Sequence, residues 1–271
     1  MEVTEQNYFQ LKSNKLKRAE IAKEFSLTDG QLKKLISKNG WGKVLPSIEI
    51  EDAFSYYDEY SCYWAGFLAA DGNVDSKKRV RIMLKYDDIS HLEKFKEFLG
   101  STHTISSNTD KYNRCSFEFT HSKIWVDLRD NFNIIPNKTD KIKFPGHIPK
   151  EFLRHYIRGY FDGDGSICES FSNKNSITAT LYATFASGCE SFADELFDYL
   201  YSILGTIGNN QKYENKNQIK YNTNDAKKLL TWMYSDCSVY LDRKFILYQQ
   251  LVVNNLRTTR VLDKGIVQSS Q

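Results

Sequence analysis

Two stretches of the chain echo one another: residues 63–74, YWAGFLAADGNV, and residues 156–167, YIRGYFDGDGSI. Aligned without a gap, Gly66 falls on Gly159, Ala70 on Gly163, Asp71 on Asp164 and Gly72 on Gly165, a constant offset of 93 positions. Each stretch reads as a helix that ends in Asp-Gly and runs straight into a strand. Within each, small residues lie four apart, Gly66 with Ala70 and Gly159 with Gly163, so they share a helix face on which another backbone can approach closely. An internal repeat of this kind implies two similar units related by a pseudo-twofold axis.

The elements that follow each motif come in the same order. After the first, VRIMLK alternates, with Val80, Ile82 and Leu84 inward and Arg81, Met83 and Lys85 outward. The next segment, DISHLEKFKEFLG, has helical spacing with a stripe of Leu92, Phe95, Phe98 and Leu99. Strands are predicted around residues 103–107 and 114–120, the second placing Cys115, Phe117 and Phe119 against Arg114, Ser116 and Glu118, and KIWVDLRDNF is a further helix. After the second motif, ITATLYATF places Ile177, Ala179, Leu181, Ala183 and Phe185 inward and Thr178, Thr180, Tyr182 and Thr184 outward. An amphipathic helix (SFADELFDYLYSILG), strands near 207–213 and 218–223, and the helices NDAKKLLTWMYS and RKFILYQQLVVNN complete it. Each repeat therefore reads α-β-β-α-β-β-α, an α+β unit with one four-stranded sheet. One sheet face is apolar and needs helices over it. The other is polar and suits base edges and phosphates, through Arg81, Lys85, Arg114 and Ser116 in the first unit and Thr178, Thr180, Tyr182, Lys212 and Lys220 in the second.

Proline marks the boundaries, because it breaks helices and inner strands. Pro46 follows a basic N-terminal segment, and Pro136, Pro145 and Pro149 precede the second motif. The divisions are 1–47, 48–148, 149–257 and a polar tail, 258–271. Residues 1–45 hold nine Lys or Arg against five Asp or Glu, so the overall charge of +3 is concentrated there. Within them, Ile21, Ala22 and Phe25 make one apolar helical face and Leu32, Leu35 and Ile36 the next, with Leu27 in the turn and Thr28 or Asp29 as N-cap. This resembles a helix-turn-helix whose second helix offers Gln31, Lys33 and Lys34 to DNA. A small helical hairpin with a solvated lysine face is the alternative.

Composition excludes several classes. No apolar run reaches the roughly 18 residues of a membrane span, and the first residues are too polar for a secretory signal, so a cytoplasmic or organellar protein is expected. Five cysteines without C-x-x-C spacing and five scattered histidines argue against a disulfide framework, a zinc site or a Cys-His nucleophile.

Two helices packed along their small-residue faces would bring Asp71 and Asp164 together at the negative ends of two helix dipoles, unfavourable unless a cation is present. Hard oxygen ligands on adjacent carboxylates suit Mg²⁺, with Mn²⁺ or Ca²⁺ as substitutes for binding, and the neighbouring Ala70 and Gly163 are expected at the same metal site. Such an ion can activate water for phosphodiester hydrolysis. A calcium loop is not supported: in DGDGSICESFSN the glycine comes fourth rather than sixth, and Asn173 stands where the loop needs Glu.

The stretches WAGFLAADG and IRGYFDGDG resemble the two motifs of monomeric LAGLIDADG homing endonucleases, over about residues 55–257. The resemblance implies two pseudo-symmetric domains saddle-shaped on double-stranded DNA, a monomer, with the motif helices as the domain interface. It also implies metal-dependent cleavage of both strands at a long target, in an enzyme of a mobile element, of the intron-homing type or free-standing. The metal-binding acids fall on Asp71 and Asp164, while the first motif departs from the pattern at Ala69, where the second has Asp162. The family's P-N-K-T/S stretch is matched by Pro136, Asn137, Lys138 and Thr139, and its Y-L-x-R-K stretch by Tyr240, Leu241, Asp242, Arg243 and Lys244. Lys138 and Lys244 are thereby the candidate catalytic lysines. The competing class is a protein that binds without cutting, a DNA-binding regulator or an RNA splicing maturase; both motif acids are present, which favours the nuclease.

Overall fold

The structure, a computed structural model, describes residues 2–14, 16–41, 46–108, 112–214 and 216–259. The chain divides into two compact units between Pro46 and Ser47. The last twelve residues of the predicted polar tail lie outside the described residues, as do residues 42–45 of the N-terminal segment.

The first unit holds three helices, α1 (Glu5–Ser13), α2 (Arg18–Glu24) and α3 (Asp29–Asn39), around a small core of Tyr8, Leu11, Ile21, Ala22, Phe25, Leu32 and Trp41. The helix pair α2 and α3 follows the sequence pattern, with Leu27 half-buried in the turn and Ser26 at φ 55° reversing the chain. Helix α1 was not expected, because only Tyr8 and Leu11 in it are buried and its apolar pattern is correspondingly thin.

The second unit contains the two repeats. The first is α4 (Glu59–Asp71), β1 (Gly72–Val74), β2 (Arg79–Lys85), α5 (Ile89–Phe98), β3 (Ser106–Asn108), β4 (Arg114–Thr120) and α6 (Ser122–Phe132). The second is α7 (Lys150–Asp164), β5 (Gly165–Ser170), β6 (Thr180–Ser187), α8 (Glu190–Leu204), β7 (Asn209–Tyr213), β8 (Lys216–Asn222) and α9 (Thr223–Tyr234). Helix α10 (Asp242–Tyr248) follows and continues as a π-helical turn, Gln249–Val253. Both sheets are four-stranded and antiparallel in the same order, β1-β2-β4-β3 and β5-β6-β8-β7.

The inward residues read from alternation are in the core: Val80, Ile82, Leu84, Cys115, Phe117 and Phe119 in the first sheet, Leu181, Ala183 and Phe185 in the second. Three readings need correction. Ile177 is 60% exposed because it precedes β6 in a loop, and Ile207, 79% exposed, precedes β7. Strand β3 begins at Ser106 rather than 103, since His103 is held by Ser101 in the connecting loop. After residue 256 the chain stays against the second sheet: Thr259 bridges to Thr178, and Glu169 accepts from Arg257 Nε (2.6 Å) and Thr258 Oγ1 (2.7 Å).

Helices α4 and α7 cross at the centre of this unit, and their glycines set the distance. A Cβ on Gly66 would stand 1.9 Å from the Tyr156 carbonyl oxygen, and one on Gly159 the same 1.9 Å from the Tyr63 carbonyl oxygen. Those positions differ by the repeat offset, so the crossing obeys the pseudo-twofold axis atom for atom. One turn on, a Cβ on Gly163 would meet the Ala70 side chain at 2.4 Å.

Candidate active site at the ends of the paired helices

Helices α4 and α7 end in Asp71 and Asp164, and each chain then turns directly into the first strand of its sheet. The following Gly72 and Gly165 have extended φ angles of −78° and −93°, not left-handed ones. Asp-Gly is therefore not an ordinary left-handed helix cap; the glycine is needed because a Cβ would strike the preceding turn, 2.5 Å from the Leu68 or Phe161 oxygen.

Among the described residues neither Asp71 nor Asp164 has a hydrogen-bond or ion-pair partner, and both side chains reach solvent. Burial of their surroundings pushes both carboxyls up. Asp164 rises to about 6, with the charge of Asp71 the next cause, opposed by Lys138, Lys244 and Lys216. Asp71 is opposed by Lys244, Lys138 and Arg243 and pushed further by Asp88. Two unpartnered carboxylates, Asp71 adding its charge against Asp164, fit a hard divalent cation, although no cluster of three or more His, Cys, Asp or Glu suited to a metal occurs among the described residues, at this pair or elsewhere.

The two lysines differ. Lys138, largely buried, donates to the carbonyl of Ala70, a residue expected at the metal site, at 3.2 Å, which leaves it further N–H groups. Lys244 is 1% exposed and donates to the carbonyls of Phe161, Asp162 (2.8 Å) and Gly165 (2.6 Å). All three of its protons are used. Burial lowers its pKa to about 8. The expected catalytic role is thus corrected for Lys244: it ties off carbonyls where α7 runs into β5 and acts on both Asp71 and Asp164 through its charge. Gly163, the other residue expected at the metal site, packs against Ala70.

The outward sheet faces flank this pair. Register puts Arg81 opposite Glu118, and Lys85 opposite Arg114, with Ser116 between them on β4, all on the outer face of the first sheet. A cleft of about 700 Å³ lies there, lined by Asp71, Met83, Lys85, Tyr112, Arg114 and Arg243. On the second sheet Tyr182 and Lys220 share the outer face, the Lys220 Nζ 3.8 Å from the Tyr182 ring centre, with Thr180 near the strand start. Thr178 lies outside the strand, paired with Thr259. Lys212 does not join them. It is opposite Asn217 and Ser187, on the helix-covered face, and bonds Glu190 (2.6 Å) and Asp194 (3.0 Å) of α8. In the N-terminal unit Lys33 and Lys34 are exposed, whereas Gln31 spends its side-chain oxygen capping α3 through the Thr28 N–H at 2.8 Å.

A buried polar network was not read from the sequence. Asp162 accepts from the Tyr234 hydroxyl, the Tyr63 hydroxyl (2.7 Å) and the Leu241 N–H (2.8 Å). One turn earlier the buried Arg158 donates to the Val239 carbonyl (3.0 Å), the Met233 carbonyl (3.1 Å) and Glu59 (2.8 Å). The available signal was two charged residues four apart in a helix whose repeat carries Ala65 and Ala69 at the same places.

Comparison with known proteins agrees with this geometry. Residues 151–257 match the LAGLIDADG-like domain family. A lysine-to-alanine mutant of I-SmaMI superposes with a TM-score of 0.51 at 15% identity, covering 72% of this chain and 92% of that one. The I-LtrWI LAGLIDADG homing endonuclease bound to target DNA gives 0.51 at 9% identity, with 75% and 90% covered. The LAGLIDADG homing endonuclease I-GzeII in complex with its DNA target gives 0.50 at 13%, with 73% and 90% covered. No curated protein matches in sequence. The chain has the two-domain fold of the LAGLIDADG homing endonucleases.

Proposed function

We propose that this protein is a site-specific endonuclease that hydrolyses both strands of double-stranded DNA at a long target, with Mg²⁺ at the Asp71 and Asp164 carboxylates. The observation that carries the reading is those two acids, unpartnered and mutually repelling, where the motif helices deliver them between two polar sheet faces. The fold similarity to DNA-bound relatives and the two-motif architecture support it. Asp71 and Asp164 would hold the metal, which supplies an activated water and charge for the leaving oxygen. Lys138, the lysine with protons to spare, faces that same pair. Arg81, Lys85, Arg114, Ser116, Thr180, Tyr182 and Lys220 would lie along the duplex, and Lys33 and Lys34 would add phosphate contacts from the N-terminal helices. The intron-homing setting belongs to the same proposal.

Purified protein with Mg²⁺ is expected to cut DNA carrying the uninterrupted sequence of its own insertion site, read on a gel with each strand end-labelled. Tight binding with no cutting in Mg²⁺ or Mn²⁺ would replace this reading with that of a non-cleaving regulator or maturase. Deleting residues 1–46 should weaken binding and flatten its salt dependence, because phosphate-facing lysines are lost; unchanged affinity would remove the N-terminal unit from the DNA interface.

A further inference from the structure

The pseudo-twofold axis relates Tyr63 to Tyr156 and Asp162 to Ala69. On one side the relation is a bond: Tyr63 donates its hydroxyl to Asp162 at 2.7 Å. On the other side Ala69 offers no acceptor, and the buried Tyr156 hydroxyl has no partner among the described residues. The two halves of the site, alike at the crossing glycines, therefore differ one residue layer below the acids.

The surviving carboxylate does more than join two helices. Leu241, whose N–H it accepts, is the N-cap of α10. The first turn of α10 carries Asp242, Arg243 and Lys244. Lys244 reaches the end of α7 and is bonded there to the carbonyl of Asp162 itself. Arg243 pairs with Asp88 at 3.1 Å and lines the cleft beside Asp71, while Asp242 pairs with Lys94. Tyr234, the second donor, closes α9 just before the same loop. In the first half the corresponding segment delivers Lys138 with one bond, to Ala70, and no buried acid behind it among the described residues.

We propose that Asp162 is a positioning residue that the second repeat alone supplies: by accepting Tyr234, Tyr63 and the α10 N-cap it fixes Lys244 and Arg243 beside the acid pair, with Arg243 on the Asp71 side, and because Ala69 leaves the first repeat without this device the two DNA strands are cut at different rates. The strand-rate part rests on the endonuclease reading; the positioning part does not.

Two readouts test it. In the first, both strands of a target duplex are labelled and nicking is followed at saturating protein with Mg²⁺. The wild type should accumulate one nicked intermediate, and Asp162→Asn should slow one strand by about tenfold or more while the other changes by less than about threefold. Equal slowing of both strands, or of neither, overturns the strand inequivalence. In the second, metal-free protein is treated with formaldehyde and borohydride and the methylation of each lysine is followed by mass spectrometry. Lys244 should be protected in the wild type and become reactive in Asp162→Asn; unchanged protection overturns the positioning role. Tyr234→Phe removes one donor without touching the motif helix, so it carries both measurements if Asp162→Asn does not fold. A wild type that cuts neither strand ends the endonuclease reading, and the lysine labelling then decides the positioning role alone.

Discussion

Helices α4 and α7 do the same task with different chemistry. Both carry glycine where the partner's backbone passes, and the distances there repeat across the axis. Away from the crossing they diverge: α4 buries Ala65 and Ala69, whereas α7 buries Arg158 and Asp162, fully enclosed and bonded to the loop that leads into α10. Close packing at a twofold crossing constrains both helices equally, since one added methyl group on either collides with a carbonyl. A polar network carries no such demand, because one acid and one arginine suffice to tie both helices to a single loop. Geometry kept the repeat symmetric where backbones touch, and hydrogen bonding was free to become one-sided.

The largest expected effect treats the halves as equals. Asp71→Asn and Asp164→Asn should each lower cleavage by about a hundredfold or more while DNA binding, measured by gel shift, stays within a few-fold. A variant that still cuts one strand at full speed would show the acids serving separate half-sites. Next, Gly159→Ala and Gly66→Ala should each cost about 3 kcal/mol in urea denaturation, because the helices must part to admit a Cβ now 1.9 Å from a carbonyl oxygen. Markedly unequal costs would break the symmetry of the crossing.

Smaller effects expose the asymmetry. Tyr63→Phe removes a donor from Asp162 and should cost about 1–2 kcal/mol, whereas Tyr156→Phe removes a buried hydroxyl without a partner and should be neutral or stabilising by about 1 kcal/mol. Equal losses would mean that the Tyr156 hydroxyl is satisfied in solution. Last comes a pH effect. The raised Asp164 carboxyl binds its proton more tightly folded than unfolded, so ionisation opposes folding above about pH 6 and the penalty fades as pH falls towards 4. In EDTA, Asp164→Asn should therefore melt higher than wild type at pH 7.5, with the gain shrinking through pH 6. A gain that persists at pH 4 would exclude charge as its source.

The strands were legible where alternation is strict. Val80, Ile82 and Leu84 must face one way on any pleated strand, and they do; Ile177 and Ile207 were misread because an apolar residue just outside a strand extends the pattern without joining the ladder. Asp71 and Asp164 were legible because two copies of one motif sit in matching contexts. Asp162 was visible as a departure from the repeat, but its partners were not, since Tyr63, Tyr234 and Leu241 are scattered over 179 positions of sequence and only folding converges them. Lys212 was assigned to the wrong face because a short strand of mixed polar residues, Asn209–Tyr213, has no apolar side to set its register.

What the sequence determined by itself is the repeat: the small residues that let two helices touch, the acids at their ends, and the alternation that makes a sheet after each. These are local patterns, and periods of two and of about four residues encode them directly. The tertiary structure alone decided how the two lysines divide. Lys138 and Lys244 follow their helices in equivalent stretches, yet the first makes a single hydrogen bond, to Ala70, and the second gives all three protons to carbonyls where α7 runs into β5. The reason is a carboxylate held under one helix end and absent from the other, and the worth of a buried group is set by the partners that surround it in space.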